Sequence, residues 1–129
     1  MTIDRVIRRA AFACALFLAG TGAAQAMTVS EFLARVDALK ARGMMALFAH
    51  SEIAALSHEG EAAANAWRGD LQAAKEAGRT PPACPPAKLK LGQDEFLGML
   101  RAVPPAERGS ISVRDQFARE MDKRYPCAG

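Results

Sequence analysis

Apolar positions recur with a three-to-four-residue period in four separate stretches of the chain, and alternating strand-like runs of β-branched residues are absent. In the first stretch Phe32, Leu33, Val36 and Leu39 share one helical face. Thr28 and Glu31 precede it in capping-box order, where each side chain satisfies a free backbone N–H of the other. Gly43 ends this helix, because glycine takes the left-handed conformation without penalty. The short apolar run Met44-Met45-Ala46-Leu47-Phe48 follows, and Ser51 is the expected cap of a second, long helix. Ile53, Leu56, Gly60, Ala63, Trp67, Leu71 and Ala74 carry its apolar stripe, and Gly78 ends it. Gly60 costs about 1 kcal/mol relative to alanine in a helix interior, which leaves a break there open.

Residues 79–92 (RTPPACPPAKLKLG) form a proline-rich strap. Proline fixes φ and holds the preceding residue extended, so the strap is not helical. A third helix is predicted over about Gln93 to Val103, with Phe96, Leu97, Leu100 and Val103 on one face and Pro104-Pro105 as its stop. Ser112 and Asp115 cap the last helix, in which Val113, Phe117 and Met121 face inward and which Pro126 ends. Asp115 with Arg119 and Glu120 with Arg124 are its expected i, i+4 ion pairs. Trp67, Met44, Met45, Met99 and Met121 read as core residues. The fold class is all-α: a small bundle of four or five helices with a proline-rich strap.

The first 26 residues follow a different pattern. Arg5, Arg8 and Arg9 precede the apolar run Ala10–Gly20, and Ala24-Gln25-Ala26 gives the small-x-small pattern that signal peptidase requires before Met27. The run is well short of the ~20 residues that span a bilayer, so no stable membrane anchor is expected after cleavage. Cys14 lies inside that run rather than at its end, which argues against a lipid anchor. Residues 1–26 are therefore expected to be a cleaved signal peptide and residues 27–129 a single helical domain, periplasmic or secreted.

Export changes how composition reads. The whole chain has 17 basic and 14 acidic residues and a net charge of +3, whereas residues 27–129 have 14 and 13, a net +1. No polybasic stretch remains, and one Trp and one Tyr are left for base stacking, so nucleic-acid binding has little support. Cys84 and Cys127 are the two cysteines left in a chain bound for an oxidising compartment, and a disulfide between them is expected.

Candidate chemistry is sparse. No G-x-S-x-G, S-x-x-K or phosphate-cradling glycine loop is present, and Glu59 and Glu61 are the carboxylates a hydrolase would use. His50 and His58, eight residues apart, stand about 12 Å from each other along a helix, too far to share one ion directly. With Glu61 they remain the candidates for a metal site in a periplasmic small-ligand or metal-binding stress module. No enzyme activity and no cofactor are expected; a protein partner is, with a second copy of the chain as a further candidate.

Cys84-Pro85-Pro86, Leu91 and Gln93 opening a helix, Pro104-x-x-x-Arg108, and Arg124-Tyr125-Pro126-Cys127 together resemble the C-terminal half of the Rap/Tai immunity proteins. The resemblance covers residues 84–127. It implies a small exported helical protein that binds and blocks a peptidoglycan amidase delivered by the type VI secretion system. It also matches Cys84 and Cys127 to that family's cysteines. Residues 27–83 have neither the further cysteines nor the Gly-Tyr helix of typical members, so no partner-contacting residue is carried over.

Overall fold

The structure is a computed structural model that describes residues 26–128. The expected signal segment, with Ala24, lies outside the described residues except for Ala26. Four helices make the fold: α1 (Val29–Ala41), α2 (His50–Glu76), α3 (Gln93–Arg101) and α4 (Val113–Arg124). Short 3-10 turns at Gly43–Phe48 and Pro105–Glu107 precede α2 and α4 respectively. The protein is mostly helical, and the described residues contain no strand. None of their helices is long and apolar enough to cross a membrane.

Local chemistry sets the helix ends. Thr28 and Ser112 each accept a backbone N–H, from Glu31 at 3.1 Å and Asp115 at 3.0 Å. The same two residues form an antiparallel bridge. On either side of it, Val29 N–H donates to Ile111 and Val113 N–H to Met27, at 3.0 and 2.9 Å. One contact thus caps α1 and α4 and clasps their starts together. Gly43 and Gly78, with φ of 56° and 69°, end α1 and α2 as expected. Arg108 closes α3 by donating to the carbonyls of Val103 and Arg101, at 2.8 and 3.0 Å.

Each helix contributes one aromatic ring to the core. Phe32 of α1 meets Phe96 of α3 at 5.7 Å, Phe96 meets Phe117 of α4 at 5.8 Å, and Phe117 meets Trp67 of α2 at 6.0 Å. The first and last of these pairs are edge-to-face and the Phe96–Phe117 pair is tilted, and edge-to-face pairs contribute about 0.5–1.5 kcal/mol each beyond the area they bury. Trp67 Nε1 donates to Asp122 Oδ1 at 2.9 Å, which satisfies its one polar atom. Gln116, also buried, donates to the Met99 carbonyl at 2.9 Å and joins α3 to α4. The Cys84–Cys127 disulfide forms, and beside it Cys84 N–H donates to the Tyr125 carbonyl at 2.8 Å.

Some local expectations fail. α2 starts at His50, one residue before Ser51, and no side chain caps it. Glu31 bonds Arg35 at 2.6 Å rather than completing the capping box. Neither expected ion pair on α4 forms among the described residues: Glu120 meets Lys123 at 3.2 Å, and Arg124 reaches across to Glu95 of α3 at 3.5 Å. A partner on a neighbouring helix competes with one on the same face, and spacing alone does not reveal it.

Gly60 does not break α2, which runs on to Glu76, and the ring of Phe96 packs beside it. A Cβ added at Gly60 would meet that ring at 3.7 Å, an ordinary van der Waals contact. Gly60→Ala is therefore expected to raise stability by about 0.5–1 kcal/mol through helix propensity. Urea denaturation checks this, and a lower midpoint would show that the close contact with Phe96 dominates.

Candidate protein-interaction surface

The joint between α1 and α2 is the most apolar exposed part of the described surface. Gly43 turns the chain out of α1, and the six residues GMMALF then wind as a 3-10 turn without a polar side chain. A 3-10 turn repeats every three residues, so Met44 aligns with Leu47 and Met45 with Phe48. None of the described helices covers them. Met44 is 80% exposed, Met45 65%, Leu47 63%, Phe48 75% and Ile53, in the first turns of α2, 41%.

This corrects the reading of Met44 and Met45 as core. Met99 and Met121 are buried as expected, and so is Trp67. Fully burying one such side chain contributes about 1.5–3 kcal/mol, so five together forgo a large gain while they face water. Large apolar side chains left exposed together at one joint make it the candidate surface for contact with another molecule.

Beside the patch an open groove of about 750 Å³ runs between α1 and α2, walled on its far side by the strap and the start of α3. α1 and α2 make little direct contact, since α2 packs on α4 while α1 packs on α3 and α4. Phe32, Leu56, Phe96 and Leu97 line the groove, and Leu39 and Ile53 lead from it to the exposed patch.

The other candidate residues are scattered. His50 and His58 are both exposed on α2. The described residues hold no group of three His, Cys, Asp or Glu placed to bind a metal ion. Glu59 is largely buried, its side chain 12% exposed, and is already engaged: it accepts from Met27 N at 3.2 Å and lies 4.0 Å from Arg114 Nε. Glu61 instead lines the groove, on another side of the helix. The two carboxylates do not form a pair.

The residues that carry the family resemblance are scaffold. Cys84 and Cys127 are bonded, Gln93 starts α3, Arg108 caps its end and Tyr125 accepts from the strap. The exposed patch lies outside that segment, in the half that departs from the family. Its one sequence signal was the polar-free run 43–48 between two helix boundaries. Compared with protein-family models, curated proteins and solved structures, the chain matches none.

Proposed function

We propose that the protein acts by binding another protein through the apolar end formed by Met44, Met45, Leu47, Phe48 and Ile53. The partner in this proposal is an exported peptidoglycan amidase toxin, whose cleft this end occludes. One observation carries the reading: five large apolar side chains stand exposed at one joint of the fold, uncovered by any of the described helices. Two others support it, namely the stapled all-α fold and the resemblance of residues 84–127 to the Rap/Tai proteins. In the proposal the protein works in the periplasm after signal cleavage. The exposed histidines lend no support to a metal-binding adaptor; the groove supports the small-ligand half of that alternative.

Aromatic residues at the centre of an interface commonly cost 2 kcal/mol or more when lost, about 30-fold in Kd. Phe48→Asp is therefore expected to weaken toxin binding at least 30-fold by calorimetry. Because Phe48 touches no part of the core, stability should change by less than about 0.5 kcal/mol. Unaltered binding would move the interface elsewhere on the protein.

A further inference from the structure

We infer that Glu59 is the receptor for a new N-terminus: signal cleavage after Ala26 frees the Met27 α-amino group as an ammonium, which pairs with Glu59 Oε1 and ties the start of α1 to α2. The inference rests on the proposed signal cleavage and goes beyond it, because it gives the processed end a place in the fold.

The acceptor stands where the charge forms. Met27 N donates to Glu59 Oε1 at 3.2 Å while it is still a peptide N–H. Hydrolysis of the Ala26–Met27 bond consumes one water. Ala26 leaves with the signal segment as a carboxylate, and the Met27 nitrogen becomes an ammonium with three donors. The neutral hydrogen bond thereby becomes a charge-assisted one, which is roughly twice as strong. Cleavage one residue earlier or later would put the charge elsewhere, so the pair is specific to the site that follows Ala24-Gln25-Ala26.

Before cleavage the carboxylate lacks a close cation. Glu59 has 12% of its side chain exposed, and Arg114 Nε lies 4.0 Å from the same oxygen. That is beyond hydrogen-bond reach, and Arg114 Nε is itself buried without a hydrogen-bond partner among the described residues. A largely buried carboxylate held by a neutral donor is costly, and an ammonium in the place of that donor offsets the cost. The Arg114 side chain is 41% exposed, so water screens much of its repulsion toward the ammonium.

The pair also strengthens a thin part of the fold. The Met27 carbonyl accepts the Val113 N–H at 2.9 Å and Thr28 bridges Ser112, so the backbone here is tied to α4. α1 and α2, by contrast, pack mainly against other helices, with Arg35 and Glu52 at 3.8 Å as an ion pair between them. Met27 on Glu59 adds a second tie between these two helices, whose joint carries the exposed apolar turn Gly43–Phe48.

Mass spectrometry of the exported protein fixes its N-terminus, expected at Met27; any other end overturns both the cleavage site and the inference. Glu59→Gln keeps an oxygen that accepts the N–H but removes the charge. In the processed protein it should lower Tm by at least about 5 °C. In the uncleaved chain, retained by Ala24→Asp, the loss should be under about 2 °C, because Met27 N is there an amide. Each form is compared with its own Glu59→Gln variant, so the attached segment cancels. A second measurement decides by itself should Glu59→Gln fail to fold. At pH 7 an activated ester should acylate the Met27 amine, identified by peptide mapping, roughly fivefold more slowly in the folded processed protein than in urea, since Glu59 holds it as the unreactive ammonium. Where Glu59→Gln folds, it should restore most of that rate. With Met27 shown to be the N-terminus, equal Tm losses in the two forms, or equal acylation rates folded and unfolded, would overturn the inference and leave the cleavage reading standing.

Discussion

Replacing both Cys84 and Cys127 with serine is expected to destabilise the protein by about 4 kcal/mol, the chain-entropy value for a closed loop of 43 residue steps. In a domain of this size that corresponds to a fall in Tm of roughly 15–30 °C. The loop contains the strap from Cys84 onward, α3 and α4, so the bond restrains nearly half of the described chain. The strap depends on it most. Among the backbone N–H groups of residues 80–91, that of Cys84 has a backbone partner, the Tyr125 carbonyl next to the disulfide, and the others have none. Ala83 is fully buried just before it, so the staple also holds an apolar anchor in the core. Calorimetry with and without reductant measures the effect in the unmodified protein. An unchanged Tm after complete reduction would mean that packing of the strap alone suffices.

Phe117→Ala should be similarly severe, at about 3–5 kcal/mol, the usual cost of emptying a buried phenylalanine site. Phe117 is 2% exposed and stands between Phe96 and Trp67 in the row of rings. Its removal leaves a cavity at the point where α2, α3 and α4 meet. It also strips Trp67 of its aromatic neighbour, so tryptophan emission should shift along with stability. Phe117→Leu, which keeps much of the volume, should cost markedly less. Denaturant midpoints for the two variants test this, and a cost below about 1 kcal/mol for alanine would show that the helices close over the gap.

Much of this core was legible in the sequence. Caps at Thr28 and Ser112, terminators at Gly43 and Gly78, and the 3-4 spacing of Phe32, Val36, Trp67, Leu71, Phe117 and Met121 are local signals, and α1, α2 and α4 use them. The two cysteines left in residues 27–129, a segment expected to be exported, pointed to their own pairing, which the fold makes. What the sequence concealed is tertiary. Met44 and Met45 look like core because an apolar run normally finds a lid, and only the placement of α3 and α4 shows that none reaches them. The groove was hidden for a related reason. It exists because α1 and α2, neighbours along the chain, pack against other helices rather than each other. Glu95 competes for Arg124 from across the bundle, so spacing along α4 misjudged that ion pair.

These two stability effects concern the scaffold, whereas the proposed function rests on the apolar end between α1 and α2. The most direct test is protection of cells that export a peptidoglycan amidase toxin. A panel of such type VI toxins is co-expressed with the protein, either unmodified or as Phe48→Asp, at matched periplasmic levels. The proposal predicts that the unmodified protein rescues growth against at least one toxin and that Phe48→Asp, equally stable, does not. Lysis by every toxin in the presence of the unmodified protein, or equal rescue by both forms, would contradict it.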